Sequence, residues 1–329
     1  MMNPDMRLIT LEEISVARER LRGVALHTPL VRMEDSGGTG RLWIKAESRQ
    51  PIGSFKLRGA YNKVASLSNE EQQLGVVTYS SGNHAQGVAF AARALELKAV
   101  IVMPSNTPEI KLRGTRSLGA EVVLVGPGSE ERLERAEQLA AEFGYVIIPP
   151  YNDPAIIAGQ GTCGLEILED LPDVDLVLAP VGGGGLLSGV STAVKLSRPG
   201  TKVFGVEPEL AGDAAESFRC GKIVSCSAAD TTRTLADGLR AQSIGPLNFA
   251  HIQAYVDGIV TVSEAEIRGA MRRMIASTGL VPEPSGAVAV AAALYHREEL
   301  PPFFDAVAVM SGGNVEPDVL RQVMDEASG

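Results

Sequence analysis

The sequence predicts an α/β fold built on open parallel sheets, and two observations support this. Short runs of β-branched residues alternate with helical stretches along nearly all of the 329 residues, which is typical of parallel strands joined by helical crossovers. Several of these runs are followed directly by glycine-rich polar segments, and ligands of open parallel sheets usually bind beyond the carboxyl ends of strands. We therefore expect two α/β units with binding residues where strands end.

The alternation can be followed element by element. The predicted strands cover residues 75–79, 99–103, 121–125, 175–179, 202–206 and 305–310. The predicted helices begin near residues 83 and 108 or cover residues 130–143, 155–169 and 186–196. Pro149 and Pro150 give the best boundary between two units, because the sequence has no Ser/Gly linker and no internal repeat.

Composition and charge disfavour several classes of function. The chain has 30 basic and 40 acidic residues, a net charge of −10, so nucleic acid and anionic membrane surfaces are not expected partners. The longest apolar stretch, 286–295, is about half of the ~20 residues that span a bilayer, and it is alanine-rich like a buried core helix. The four histidines form no zinc motif. Three cysteines without a CxxC pair, and an N-terminus without an apolar signal core, favour a reducing cytoplasm.

The most unusual segment is a run of glycines between a predicted strand and a predicted helix. After Pro180 and Val181 come Gly182, Gly183, Gly184, Gly185 and Leu186. Unhindered backbone N–H groups at a helix N-terminus bind phosphate well. A tight strand-to-helix turn needs only one or two glycines, and the run matches neither a dinucleotide-binding nor a P-loop motif. We therefore predict a phosphate site of another kind.

Two further polar segments follow predicted strands. Ser80, Ser81, Gly82, Asn83 and His84 enter a helix and could bind a carboxylate, although ordinary helix capping would look similar. The segment 311–314, with the sequence Ser-Gly-Gly-Asn, could donate a hydroxyl to a heteroatom.

Lys56 begins a probable helix among apolar and small residues. Desolvation lowers the pKa of a lysine and favours the neutral amine that condenses with carbonyls. Together with a phosphate site, such a lysine points to pyridoxal phosphate, which is an aldehyde that carries a phosphate.

These segments, in this order and spacing, resemble the fold-type II pyridoxal-phosphate family of serine/threonine dehydratases and serine racemase over nearly the whole chain. The lysine motif 54–60 (Ser-Phe-Lys-Leu-Arg-Gly-Ala) is similar to that subgroup rather than to cysteine synthase. The resemblance implies a tryptophan synthase β-like fold with a large domain, 1–70 and 150–329, and a small mobile domain, 71–149. It further implies a homodimer without a C-terminal regulatory domain.

The resemblance also assigns the cofactor site. Lys56 would hold pyridoxal phosphate covalently and act as acid and base on one face, with Phe55 beside the ring. Asn83 would bond the 3-hydroxyl group, residues 182–186 would bind the phosphate, and Gly238 would line the site. Ser311 would meet the pyridine nitrogen, and a neutral hydroxyl there favours β-elimination over other chemistry.

For the substrate, the resemblance implies that Ser80, Asn83 and His84 hold the carboxylate. Ser81 lies where racemases carry a second acid/base on the opposite face, and dehydratases carry the same serine. Arg132 could reach the distal end of the substrate, or it could be a solvated helix charge.

The resemblance also implies a Mg²⁺ site formed by Glu207, the carbonyl of Ala211 and Asp213. Oxygen-only ligands suit such a hard cation. The plain alternative is acidic residues in the first turn of a helix, where they favour the helix dipole.

The predicted function is therefore a cytoplasmic lyase that converts L-threonine or L-serine to a 2-oxo acid and ammonia. Serine racemase and threo-3-hydroxyaspartate dehydratase are the enzymatic alternatives. A catalytically silent ligand-binding member of the fold is the alternative from another class. It is disfavoured because the chain has all of the cofactor-site residues together, namely Lys56, Asn83, residues 182–185 and Ser311.

Overall fold

The computed structural model describes residues 7–34, 40–80, 82–107, 109–126 and 129–325. The strands are β1 (Leu30–Met33), β2 (Arg41–Ala46), β3 (Val76–Tyr79), β4 (Ala99–Pro104), β5 (Glu121–Val125), β6 (Val146–Ile147), β7 (Leu176–Pro180), β8 (Lys202–Pro208), β9 (Gly258–Val262) and β10 (Asp305–Met310). The helices are α1 (Leu11–Leu21), α2 (Lys56–Ala65), α3 (Asn69–Leu74), α4 (Asn83–Ala94), α5 (Glu109–Ser117), α6 (Ser129–Phe143), α7 (Pro154–Asp170), α8 (Gly185–Ser197), α9 (Asp213–Cys220), α10 (Ala228–Thr231), α11 (Pro246–Tyr255), α12 (Glu264–Thr278), α13 (Pro284–Tyr295) and α14 (Pro317–Asp325).

The strands form two sheets. The larger has the order β1-β2-β10-β7-β8-β9 and the smaller has the order β5-β4-β3-β6. Every pairing is parallel except that of β1 with β2. This arrangement confirms the predicted α/β class, and each of the six predicted strands is present with its ends shifted by at most two residues.

The strands of the smaller sheet all lie within residues 76–147, and those of the larger sheet lie outside that range. The chain therefore passes from one sheet to the other near Pro149 and Pro150. The division into a large and a small domain, and the mobility of the smaller one, stay predictions.

Helix α13 is the centre of the larger core. Residues Ala287 to Ala293 are almost fully buried, and they pack with residues of α12 and of the strands β7 and β10 in one hydrophobic cluster. Small alanine side chains let a helix approach a sheet closely. This confirms the prediction of a buried alanine-rich helix. No helix in the described part of the chain is long and apolar enough to cross a membrane.

Helices α2, α7 and α8 pack backbone against backbone. A Cβ atom at Gly159 would lie 2.6 Å from the carbonyl oxygen of Arg58, and one at Gly189 would collide with the carbonyl oxygen of Ile157. Such close approaches are possible only for glycine. They fix the position of α2, whose first residue is Lys56.

A buried ionic cluster holds the same helix. The Arg58 guanidinium donates hydrogen bonds to Glu47 and Glu166, with closest distances of 2.7 Å. Lys45 of β2 is also fully buried and lies 2.7 Å from Glu166. Buried charges are tolerated only when they are paired, so the cluster ties α2 to β2 and α7. The pairing of Lys45 with Glu166 also explains why β2 was not predicted. A lysine is not expected in a buried strand, and the residue that neutralises it is distant in the sequence.

Candidate active site

One cavity of about 550 Å³ collects most of the residues that the sequence analysis singled out. It lies where β3, β7 and β10 end and where α2, α4 and α8 begin. The predicted residues that line it are Phe55, Lys56, Ser80, Asn83, His84, Arg132, Gly182, Gly183, Gly184, Gly185, Leu186, Gly238 and Ser311. Ser81 lies outside the described residues, and Glu207, Ala211 and Asp213 do not line the cavity.

Lys56 sits in the cavity as the first residue of α2. Its Nζ donates a 2.7 Å hydrogen bond to the carbonyl oxygen of Pro150 and lies 5.3 Å from the centre of the Phe55 ring. Burial lowers the pKa of the Lys56 amine from 10.5 to about 8. A substantial fraction of the amine is therefore neutral and nucleophilic near physiological pH.

The loop before Lys56 is bonded to the loop after β10. The N–H of Phe55 donates to the carbonyl of Ser311 at 3.0 Å, and the N–H of Gly313 donates to the carbonyl of Gly53 at 3.0 Å. Gly53 has a φ of 73°, a left-handed conformation that favours glycine. These bonds bring Lys56 and Ser311 into one site although they are far apart in sequence.

The glycine run lines the same cavity. Gly184 has a φ of 94°, and α8 begins at Gly185. A Cβ atom at Gly183 would overlap the Tyr151 ring, and one at Gly184 would lie 2.8 Å from the Cβ atom of Asn248. The first N–H groups of a helix have no acceptor within it, so this narrow loop fits a phosphate group.

The α4 N-terminus forms another part of the cavity lining. The Asn83 carboxamide is held at both ends, because its Nδ2 donates to Glu283 Oε1 at 2.8 Å and its Oδ1 accepts from Asn314 Nδ2 at 2.7 Å. His84 Nε2 lies 3.1 Å from the carbonyl oxygen of Ile148, so this nitrogen carries a proton and donates. Burial lowers the pKa of His84 to about 3. A neutral imidazole cannot pair with a substrate carboxylate as a cation, so the backbone N–H groups here are the better donors.

Glu283 and Ser285 are site residues that the sequence analysis missed. Glu283 is 5% exposed, and burial, reinforced by the charge of Asp237, raises its pKa to about 8. Ser285 Oγ accepts a hydrogen bond of 2.9 Å from the N–H of Gly238, and its carbonyl is 3.4 Å from Ser311 Oγ. The available signal was the polar sequence Glu-Pro-Ser-Gly, 283–286, at the N-terminus of the apolar helix α13. It went unused because it follows no strand.

Charged side chains from several other elements also line the cavity. Lys111 Nζ of α5 lies 2.8 Å from Asp237 Oδ2 and 3.4 Å from Glu316 Oε1. Arg132 of α6 also lines the cavity, and burial lowers the pKa of its guanidinium. Lys111, Asp237 and Glu316 gave no signal in the sequence, because each comes from a different element.

The predicted metal residues form a separate buried pair of carboxylates. Glu207 at the end of β8 accepts hydrogen bonds from the N–H groups of Ala214 and Ala215, at 3.2 and 2.9 Å. Both carboxylate oxygens of Asp213 are buried and make no hydrogen bond of ordinary geometry. Burial raises the pKa of Asp213 to about 7, although the N–H groups of Asp213 and Ile244 lie near enough to oppose the shift. Burial and the Asp213 charge likewise raise the pKa of Glu207.

Two orphaned buried oxygens beside a second carboxylate fit a hard cation, provided that water supplies further ligands. Among the described residues no group of three or more His, Cys, Asp or Glu side chains could hold a metal ion. The candidate protein ligands are two carboxylates, Glu207 and Asp213, and the Ala211 carbonyl.

The chain is similar to known proteins over most of its length. Residues 22–312 match the family model described as pyridoxal-phosphate dependent enzyme. The chain is 44% identical over 324 residues to an L-threonine ammonia-lyase of Thermotoga maritima, covering 97% of this chain and 79% of the relative. It is 40% identical over 309 residues to an L-threo-3-hydroxyaspartate ammonia-lyase of Saccharomyces cerevisiae, covering 93% and 94%. The structure of maize serine racemase superposes with a TM-score of 0.91 at 35% identity and 98% coverage of both chains.

Proposed function

Because this chain belongs to the family of pyridoxal-phosphate-dependent enzymes, we propose that it is an ammonia-lyase acting on L-threonine or L-serine. The observation that carries the proposal is that a lysine of lowered pKa, Lys56, and the glycine cradle 182–185 face one cavity. The overall reaction removes the β-hydroxyl group as water and releases a 2-oxo acid and ammonia after hydrolysis. The relative from Thermotoga maritima, named for L-threonine, supports the assignment.

The residues present fit the cofactor. Lys56 would bind its aldehyde covalently, Phe55 would lie beside the ring, and Asn83 would face the 3-hydroxyl group. The N–H groups of residues 182–186 would bind the phosphate, Gly238 would line the site, and Ser311 would face the pyridine nitrogen. When bound, pyridoxal phosphate supplies an electron sink for breaking the Cα–H bond of an amino acid.

The protein supplies orientation and proton transfer. Ser80 and the N–H groups of Asn83 and His84 at the start of α4 bind the substrate carboxylate, where the helix dipole favours an anion. The neutral Lys56 amine is then placed to accept the proton from Cα. Its lowered pKa keeps a useful fraction of the amine unprotonated for this role.

Serine racemisation is the second candidate function. The superposition with maize serine racemase over 98% of this chain favours it. Ser81 would then act as the second acid/base on the opposite face of the substrate.

A further alternative substrate is threo-3-hydroxyaspartate, and the yeast relative favours it. Arg132 would then bind the distal end of the substrate.

We also propose that Glu207, Ala211 and Asp213 bind Mg²⁺. The protein would be a cytoplasmic homodimer, and its small domain, 71–149, would move relative to the large one. The orphaned oxygens of Asp213 support the cation. Sedimentation equilibrium tests the dimer, which has twice the monomer mass of 34.7 kDa.

The experiment that tests the function is release of 2-oxo acid from L-serine, D-serine, L-threonine and L-threo-3-hydroxyaspartate, with chiral analysis of the remaining amino acid. We expect release from L-threonine or L-serine to dominate. Faster appearance of the enantiomer than of oxo acid would replace the lyase with the racemase.

Lys56→Ala should abolish release, whereas Lys98→Ala, at an exposed lysine directly before β4, should not. Activity retained in Lys56→Ala would overturn the proposal. Lack of a visible absorption band after cofactor is added to the wild type would favour a silent binding protein instead.

A further inference from the structure

We propose that Asn314 and Glu283 are positioning residues, which turn the Asn83 carboxamide so that its N–H, and not its carbonyl, meets the 3-oxygen of the cofactor. The inference rests on the proposed function, in which Asn83 faces the 3-hydroxyl group. It goes further by naming the residues that decide which end of the amide is presented there. The two ends of a carboxamide have nearly the same shape, so only their hydrogen-bond partners can set the orientation.

The orientation is set from a backbone carbonyl. The carbonyl oxygen of Ile52 can only accept, and it accepts a 2.8 Å hydrogen bond from Asn314 Nδ2. The amide nitrogen of Asn314 is therefore the atom that faces this loop. Gly53 leaves room for the Asn314 side chain, because a Cβ atom at this left-handed position would collide with Asn314 Oδ1.

Asn314 then determines how Asn83 is turned. Its Nδ2 donates a second hydrogen bond, of 2.7 Å, to Asn83 Oδ1. The opposite end of the Asn83 amide, Nδ2, donates a 2.8 Å hydrogen bond to Glu283 Oε1. The three bonds run in one direction, from Asn83 to Glu283 and from Asn314 to both Ile52 and Asn83, so reversing the Asn83 amide would set donor against donor and acceptor against acceptor.

Glu283 completes the orientation as a buried acceptor. Its side chain is only 5% exposed, and a buried oxygen that loses its donor is costly. Burial raises the pKa of Glu283 to about 8, so the carboxyl group is largely neutral near physiological pH. A neutral carboxyl group can either accept or donate. The direction is therefore decided by Ile52 and Asn314, and Glu283 holds the Asn83 nitrogen in the resulting position.

The consequence is chemical. Asn83 Nδ2 carries two hydrogens, and Glu283 takes one of them. We assign the other to the 3-oxygen of the cofactor, since Asn83 and Lys56 line the same cavity. An N–H donated to this oxygen stabilises its ionised form, whereas a carbonyl oxygen at the same place would stabilise the neutral hydroxyl. The ionised form absorbs visible light and the neutral form absorbs in the near ultraviolet.

The test measures the ratio of visible to near-ultraviolet absorbance in holoenzyme. Glu283→Leu removes the acceptor and should lower the ratio by about threefold or more, the usual effect of one lost hydrogen bond. Glu283→Gln keeps an acceptor oxygen and should retain the wild-type ratio. Asn314→Asp replaces the donor with an acceptor, so Asn83 should turn round and the ratio should fall at least as far. Asn69→Asp is the matched control, because it adds the same charge at an exposed position outside the cavity lining, and it should leave the ratio unchanged.

Removing Asn83 separates positioning from a direct effect of charge on the cofactor. Residues that act through one side chain lose their effect when that side chain is absent. In the Asn83→Ala background, Glu283→Leu and Asn314→Asp should therefore leave the ratio unchanged. The dissociation constant of pyridoxal phosphate, measured by titration of apoenzyme, should follow the same pattern, rising by about threefold or more only when Asn83 is present.

Circular dichroism establishes that each variant is folded. If Asn314→Asp does not fold, Asn314→Ala removes the donor without adding charge, and it should lower the ratio by a smaller factor. The exposed position of Asn314 favours folding of both variants.

The outcomes separate the inference from the function on which it rests. A wild type that forms no visible band with cofactor, or that releases no oxo acid, overturns the proposed function. A wild type that does both, combined with unchanged ratios in folded Glu283→Leu and Asn314 variants, overturns only the positioning role. Equal changes with and without Asn83 also overturn it, because the two residues would then act on the cofactor directly.

Discussion

Asn83 and Glu283, 200 positions apart in the sequence, are joined by a 2.8 Å hydrogen bond from Nδ2 to Oε1, and both residues line the cavity. This bond, with the one from Asn314 Nδ2 to Asn83 Oδ1, fixes the orientation of the Asn83 carboxamide. Because Glu283 is buried, its protonation state affects both the stability of the fold and the site itself.

The Glu283 carboxyl should make stability depend on pH. Its pKa rises from an ordinary value of 4.5 to about 8 in the folded protein. Between these values the folded state keeps a proton that the unfolded state has released, so the free energy of unfolding falls as the pH rises through that window. Glu283→Gln keeps an acceptor for Asn83 but cannot ionise, and it should escape this loss.

Urea unfolding of wild type and Glu283→Gln at pH 6 and pH 9 measures the effect. The wild type should lose more stability than the variant between the two pH values, by an amount on the order of a few kcal/mol, since each pKa unit corresponds to about 1.4 kcal/mol. Glu298→Gln, at an exposed position, should follow the wild type. Identical pH dependence in wild type and Glu283→Gln would contradict the assignment of a raised pKa to Glu283.

The Lys56 amine should capture pyridoxal phosphate with a midpoint near pH 8. Burial lowers its pKa to about 8, and only the neutral amine attacks an aldehyde. The rate at which the visible band forms after cofactor is added to apoenzyme should rise with pH and level off above about pH 8. A rate that keeps rising to pH 10 would show an ordinary lysine.

Gly183→Ala should weaken cofactor binding by about tenfold or more, because the added methyl group would overlap the Tyr151 ring and displace the phosphate loop. Titration of apoenzyme with pyridoxal phosphate, followed by absorbance, measures the dissociation constant. The control is Gly200→Ala, where a Cβ atom meets no atom within 4 Å. Equal dissociation constants for the two variants would argue against a phosphate site at residues 182–186.

Mg²⁺ should raise the melting temperature of the wild type and not that of Asp213→Asn. The two buried oxygens of Asp213 make no hydrogen bond of ordinary geometry, and a bound cation stabilises the state that binds it. Thermal unfolding at pH 8 with and without Mg²⁺ measures the shift. Asp318→Asn should behave like the wild type, and an equal Mg²⁺ effect in Asp213→Asn would place the cation elsewhere.

Much of this site could be predicted because its residues stand next to strand ends in the sequence. The glycine run 182–185 and the segment 311–314 each follow a strand of the larger sheet, and residues 80–84 follow a strand of the smaller one. The carboxyl ends of parallel strands in one sheet share an edge, so these signals also predict that the two segments of the larger sheet meet. Their meeting with residues 80–84 depends on how the two sheets are placed, which no local signal predicts. Strand β2 was missed because the neutralisation of Lys45 by Glu166 is a long-range contact.

The sequence by itself determined the α/β class, the family and the residues suited to hold pyridoxal phosphate, because strand periodicity and glycine-rich turns are local properties of the chain. Only the tertiary structure decided which charges meet. Burial gives Glu283 its raised pKa and His84 its neutral ring, and packing of α5 against two distant loops pairs Lys111 with Asp237 and Glu316. Desolvation and Coulomb interactions depend on distances through space, and these are set when the two sheets and their helices pack together.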